Sequence, residues 1–303
     1  MLKDASEIRP AQHRYSGKIT DPDRWALYAP RRGDIIVCTP AKCGTTWTQS
    51  IIALLLNGGH DLNAPVTHIS PWIDADFEDA ESEAAPGRLA ARPGRRVIKT
   101  HTPGDGFPVW DGVHVVAVYR HPLDVVLSLR KHLMNMVRIS DHPMKEALPA
   151  ALRYFLQAPF SPDDVDTDAL KLLTEHYRRT VAARPGGQVT VLHYADMIAD
   201  HAGTVARLAR VLGIDADEEA QARVVAATAF TSMKRRAADF APQGGTGLWK
   251  NDTAFFDSGG TEKWRGVFSE ADLAAFEARL AELVPEPGLR HWLQYGGACA
   301  HGS

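Results

Sequence analysis

Apolar residues fall into short, wholly hydrophobic bursts separated by longer amphipathic stretches. The first burst, Asp34-Ile35-Ile36-Val37-Cys38-Thr39, is bounded by Gly33 and Pro40, and a continuous apolar run of this length predicts a buried strand of a parallel sheet. From Thr45 the period changes. Trp47, Ile51, Ile52, Leu54, Leu55 and Leu56 recur at helical spacing until Asn57-Gly58-Gly59, a combination that stops a helix. Residues 96–101 and 114–119 repeat the strand pattern, and the second is followed by a helix whose first turn carries Pro122, as helix starts favour. Residues 188–194 predict a fourth strand, and residues 204–212 an amphipathic helix closed by Gly213. This alternation predicts an α/β fold in one domain, a central parallel sheet flanked by helices on both faces. Residues 61–95, rich in acidic residues, alanine and proline, are expected to form surface loops and a short helix. Residues 133–168 interrupt the alternation with Met134, Met136, Tyr154, Phe155 and Phe160 among prolines and charges. They read either as a lid or acceptor wall, or as a surface helical hairpin with its own small core.

Composition narrows the class. With 303 residues, 45% hydrophobic and 23% charged, the chain has an ordinary globular balance and is read as a single domain over 1–303 with its core at about 33–280. A formal net charge of −3 argues against a nucleic-acid groove or an anionic membrane as the dominant partner, so any anion site must be local. Cys38, Cys43 and Cys299 have no disulfide or zinc spacing, which fits a reducing compartment. The N-terminus lacks a signal-peptide pattern, and no stretch approaches the roughly 20 apolar residues of a membrane span. A cytoplasmic enzyme is expected, to which any lipid acceptor would have to come; the oligomeric state is left open.

Between the first strand and its helix lies Thr39-Pro40-Ala41-Lys42-Cys43-Gly44-Thr45-Thr46-Trp47, at the carboxyl end of a parallel sheet, where such folds bind phosphates. Gly44 permits a tight turn, the free N–H groups of the helix start face outward, the Thr45 and Thr46 hydroxyls add donors, and Lys42 supplies charge. A capped helix with an incidental lysine is the plainer reading. An ATP-binding Walker loop would put its lysine directly after a glycine, whereas Lys42 precedes Gly44 by two positions.

This loop resembles the signature of the PAPS-dependent sulfotransferases, close to Thr-Tyr-Pro-Lys-Ser-Gly-Thr-Thr-Trp, at six of nine positions. The resemblance implies a P-loop-like site in which Lys42, Cys43, Gly44, Thr45 and Thr46 hold the 5′-phosphosulfate and Trp47 packs on the adenine. Cys43 stands in place of serine beside a lysine at a helix start, a setting that lowers thiol pKa values; a passive role is preferred over a reactive thiolate. Lys99-Thr100-His101-Thr102-Pro103 is similar to the family's Lys-Thr-His-Leu-Pro, which implies His101 as general base with Lys42 and Lys99 stabilising charge on the transferring group. Arg120 and Ser128, eight residues apart after the third strand, resemble the 3′-phosphate pair; an Arg120–Asp124 pair at a helix start is the structural alternative. His193-Tyr194-Ala195-Asp196-Met197 and Thr228-Ala229-Phe230-Thr231-Ser232-Met233 resemble two further family motifs, which implies Tyr194, Thr228, Phe230 and Met233 around the adenine, although each alone also reads as core packing.

The resemblance breaks near the C-terminus. Where the family carries Arg-Lys-Gly-x-x-Gly-Asp-Trp, this chain keeps Gly259 and Trp264 but has Asp257 and Ser258 in place of the two cations, and a carboxylate there would repel phosphate. Arg235, Arg236 or Arg265 could substitute, the donor could bind weakly, or catalysis could be lost. The family implies PAPS as donor, adenosine 3′,5′-bisphosphate as product, no metal, and a small-molecule or lipid hydroxyl acceptor. Ser70-Pro71-Trp72 and the His101 motif bring the chain nearest to the bacterial glycolipid sulfotransferases. Two rivals stay open: an ATP-dependent P-loop kinase and a non-catalytic nucleotide-binding relative.

Overall fold

The computed structural model describes residues 3–137, 141–184 and 187–297; Cys299, and residues 138–140 of the expected insertion, lie outside them. In chain order the strands are β1 (Glu7–Arg9), β2 (Ile35–Cys38), β3 (Val97–Thr100), β4 (Val109–Trp110), β5 (His114–Tyr119) and β6 (Val189–His193). The helices begin with α1 (Thr45–Leu56), α2 (Val66–Ile69), α3 (Ala80–Ala91), α4 (Pro122–Asn135), α5 (Leu148–Gln157) and α6 (Leu170–Ala183). They continue with α7 (Tyr194–Ala199), α8 (His201–Val211), α9 (Glu218–Ala227), α10 (Phe230–Arg235), α11 (Ala237–Phe240), α12 (Glu270–Leu283) and α13 (Pro287–Tyr295).

The four expected strands form one parallel sheet in the order β3-β2-β5-β6. Both faces are buried, and the period of two shows how. Ile35, Val37, Val116 and Val118 point into one cluster with α1 and α8, whereas Ala117 and Tyr119 point into another with α4, α5, α6, α12 and α13. A small antiparallel pair, β1 with β4, closes the amino side. Strand β2 is central: its successor β3 lies on one side and β5 on the other. The connections leaving β2 therefore diverge, which opens a crevice at the carboxyl ends of β3, β2 and β5.

Two expectations for the connecting segments are revised. Residues 61–95 hold two helices, and α3 is twelve residues long, its start fixed by Asp79, whose side chain accepts the Ser82 N–H at 2.8 Å. Among the described residues, the segment 133–168 packs into the main core instead of a core of its own. Ala151, Leu152, Phe155 and Leu156 of α5 join the cluster under the main sheet, because their three- and four-residue spacing gives α5 one apolar stripe that must be covered. Among the described residues no helix is long and apolar enough to cross a membrane.

Candidate active site

Three sequence motifs leave the ends of neighbouring strands, and the sheet brings them together. After β2 the chain turns through Lys42 (φ 63) and Gly44 (φ 111) into α1. Gly44 is required twice over: its φ lies in the left-handed region, and a Cβ there would sit 3.0 Å from the Tyr194 ring. The first turn of α1 has no side-chain cap, so its leading N–H groups remain directed at the crevice. The Thr45 hydroxyl is bonded to that of Thr39, while Thr46 is half-buried at the loop.

The Lys42 ammonium lies 2.9 Å from His132 Nδ1 on α4 and 4.5 Å from the centroid of Phe255. Burial, with the charges of Arg120 and Lys99 nearby, pulls it down to about 7. Burial likewise pulls Lys99, whose ammonium sits 4.2 Å over Trp72, down to about 8. Asp168 pulls Lys42 and Asp74 pulls Lys99 the other way, without outweighing burial.

His101 follows β3 directly. Its Nδ1 is 2.6 Å from the Thr39 carbonyl oxygen, which can only accept, so the proton resides on Nδ1 and Nε2 carries a free lone pair. Burial and the Lys99 charge hold the imidazole well below the usual histidine range, so it is neutral near pH 7. Trp72 stands edge-on at 4.6 Å. Asp74, fully buried, accepts the hydroxyls of Thr100 and Thr102 at 2.7 Å each, clamping the residues on either side of His101.

Arg120, after β5, spans the two halves of the crevice. Its guanidinium donates to the Lys42 carbonyl at 3.4 Å and to the Gly260 carbonyl at 3.1 Å, stacks 4.5 Å over Tyr194, and lies 3.9 Å from Asp124. Both readings of Arg120 therefore coexist: it faces the loops and neighbours Asp124, whose carboxylate accepts the Glu262 N–H at 2.9 Å. Ser128 lies on the α4 face shared with Asp124, Lys131 and His132 by helical spacing.

The aromatic wall is layered. Trp47 and Tyr194 meet edge to face at 5.6 Å, and Phe230 is so close to Gly259 (φ 62) that a Cβ there would fall 2.3 Å from the ring. Thr228 and Met233 lie behind these rings. The Thr228 hydroxyl donates to Val224 and its carbonyl accepts from Trp47 Nε1 at 2.9 Å, whereas Met233 is packed with Val66, Ala237 and Phe240. For these two, core packing is what the structure displays.

Three further expectations can be set against the structure, and the first, a passive Cys43, is kept. Cys43 is fully buried in the main core, and burial pushes its thiol up to about 12; the environment is apolar, so the lysine and helix start do not create a thiolate. Arg236 is paired with Asp61 and Asp239, and Arg265 with Glu262. Asp257 is not a bare repulsive charge: Lys131 and Lys263 donate to its two carboxylate oxygens at 2.7 and 3.0 Å, and Lys234 to its carbonyl at 3.2 Å. Sequence reasoning also missed His132, Asp74, Phe255, Trp249 and Asp168. Burial and Asp166 push the Asp168 carboxyl up to about 7, against the pull of Lys42. These residues lie outside the strand-end motifs, and only the fold carries them there.

Comparison with known proteins agrees with this geometry. Residues 32–286 match the family model of the sulfotransferase domain. The chain is 34% identical to a glycolipid sulfotransferase of Mycobacterium bovis (strain BCG / Pasteur 1173P2), covering 93% of this chain and 94% of that one. It is 33% identical to a glycolipid sulfotransferase of Mycobacterium tuberculosis (strain ATCC 25618 / H37Rv) over the same shares. In fold it is similar to a mouse sulfotransferase complexed with PAP, with a TM-score of 0.70, 19% identity, and coverage of 94% of this chain and 99% of that one. It is also similar to retinol dehydratase in a complex with retinol and PAP, with a TM-score of 0.67, 21% identity, and coverage of 87% and 84%. With the family model spanning most of its length and the mycobacterial relatives nearly all of it, this chain belongs to the sulfotransferase family and is a sulfuryl-transferring enzyme.

Proposed function

We propose that the enzyme moves the sulfuryl group of PAPS to a hydroxyl of a small-molecule or glycolipid acceptor, with His101 taking the acceptor's proton. The observation that carries this reading is the His101 ring itself: neutral, held through Nδ1 by the Thr39 carbonyl, with Nε2 free in a crevice that also holds Lys42 and Lys99. A base needs an available lone pair, and transfer between oxygens needs positive charge where the leaving oxygen develops.

The residues suit such a donor. Burial depresses the pKa values of Lys42 and Lys99 further than Asp168 and Asp74 restore them, and the N–H groups at the start of α1, which has no side-chain cap, lie beside Lys42. Trp47, Tyr194 and Phe230 offer ring faces for adenine, and Arg120 and Ser128 a place for the 3′-phosphate. PAPS, when bound, supplies a sulfuryl group on a phosphate leaving group. As the acceptor oxygen forms its bond to sulfur, its proton passes to His101 Nε2, the bond from sulfur to the phosphate oxygen breaks, and that oxygen keeps the electron pair beside Lys42 and Lys99.

A lipidic acceptor is supported by the rings around His101 and His132, namely Trp72, Trp249 and Phe255. Phe77, 44% exposed, continues this surface outward by packing edge-on against Trp72 at 5.6 Å. Both mycobacterial relatives are named as glycolipid sulfotransferases.

His101→Ala is expected to lower the rate of sulfate transfer from PAPS by about 10²–10⁴-fold while the Kd for adenosine 3′,5′-bisphosphate stays within about twofold. Transfer at the parental rate in the variant would remove His101 from the chemistry. Selective protection by ATP with magnesium, and none by the bisphosphate, would overturn the donor.

A further inference from the structure

The 257–263 loop replaces two expected cations with Asp257 and Ser258, yet its surroundings are strongly basic. Three ammonium groups from different elements meet at Asp257: Lys131 from α4, Lys234 from α10 and Lys263 from the loop itself. Arg120 touches the same loop through the Gly260 carbonyl at 3.1 Å. Lys131 is three residues beyond Ser128 on α4 and hence on the same face. The cluster thus adjoins Arg120 and the α4 face that carries Ser128.

We infer that Lys131, Lys263 and Lys234 form the 3′-phosphate clamp of this enzyme, and that the Asp257 carboxylate acts as an internal counterion whose place on Lys131 and Lys263 the phosphate takes. The inference rests on the donor proposed above and assigns this chain's own residues to one end of it. A carboxylate and a phosphate are chemically interchangeable partners for an ammonium group: each accepts through oxygens, and Asp257 uses both of its oxygens here. Lys131 is 58% exposed and Asp257 30% exposed, and ion pairs this open to water contribute little, so the contact is easily exchanged. A dianion offers the two lysines more charge than one carboxylate and can accept from Arg120 and Ser128 as well.

The arrangement also accounts for the missing adjacent cations. Supplied from separate elements, the positive charge no longer has to come from positions 257 and 258. Burial works against ionisation of Asp257, but the hydrogen bonds from Lys131 and Lys263 outweigh it and hold the carboxyl below its usual range. Asp257 therefore remains charged and competes for the lysines at neutral pH.

The test compares adenosine 3′,5′-bisphosphate with AMP, which lacks the 3′-phosphate, by calorimetry on the full chain. Lys263→Ala is expected to weaken the bisphosphate by roughly tenfold or more and Lys131→Ala by several-fold, since charge-assisted contacts of this kind are worth about that much. AMP should bind each variant as it binds the parent, which also shows that the variants are folded. Asp257→Asn should tighten the bisphosphate several-fold and leave AMP unchanged. Equal losses for both nucleotides, or an unchanged bisphosphate affinity in all three variants, would overturn the clamp. If the parent itself fails to prefer the bisphosphate over AMP, the donor proposal fails instead, so the two outcomes are separable.

Discussion

Lys42 sits in a backbone conformation that non-glycine residues rarely adopt (φ 63), and its ammonium meets His132 instead of a carboxylate. With its pKa pulled down to about 7 by burial, Arg120 and Lys99, Lys42 is largely neutral at pH 8 and largely protonated at pH 6. An anion beside it favours the protonated form and raises the pKa, so binding at pH 8 must take up a proton. Isothermal titration of adenosine 3′,5′-bisphosphate at pH 8, in buffers of different ionisation enthalpy, is expected to show net proton uptake, together with weaker affinity than at pH 6.5; Lys42→Met should reduce the uptake and leave the share of Lys99, which is pulled down to about 8. His101 titrates well below the ordinary histidine range and is already neutral over this interval, so it adds little to the uptake. At this scale the sequence was informative wherever a residue's conformation follows from its neighbours in the chain, as for Gly44. At Cys43 the chain neighbours alone left a reactive thiolate open beside the preferred passive role, because a thiol's reactivity depends on what buries it.

Elements explain why the insertion behaves as it does. The sequence of α5 displays an apolar stripe but not what covers it, and two readings of residues 133–168 followed from that ambiguity. In the fold, Phe155 is 1% exposed beneath the main sheet, in one cluster with Tyr119, Leu173 and Leu280. Phe155→Ala is expected to cost about 3–5 kcal/mol, measured by urea unfolding, with the loss spread over the whole transition. A change confined to local opening near α5, with global stability intact, would return the segment to an independent hairpin. The strands were legible because burial on both faces leaves a compositional trace, a run of Ile and Val, that survives without context. Residues 61–95 left no such trace: the alanines and acidic residues of α3 form a helix by propensity and capping, and their prolines obscured it.

At the scale of the whole molecule, the crevice is assembled from the ends of β2, β3 and β5, from α4, and from the 255–264 segment. That last segment is held by Phe256 in one cluster and by Trp264 against another. No part of the site belongs to a separable unit, so ligand binding should stabilise the fold as a whole. Adenosine 3′,5′-bisphosphate at 100 times its Kd is expected to add about 2.7 kcal/mol, moving one calorimetric transition up by several degrees; two transitions, only one of them moving, would contradict a shared core. By itself the sequence determined the class of fold, the three strand-end motifs and the sulfotransferase resemblance, because hydrophobic period, glycine conformation and motif spacing act between residues close in the chain. The tertiary structure alone decided what neutralises Asp257, which imidazole nitrogen of His101 is free, what Lys42 touches, and that Cys43 is inert. Charge pairing, tautomer and burial depend on groups brought near by folding from far along the chain, as Lys131 is, 126 residues from Asp257, and no local pattern records such a meeting.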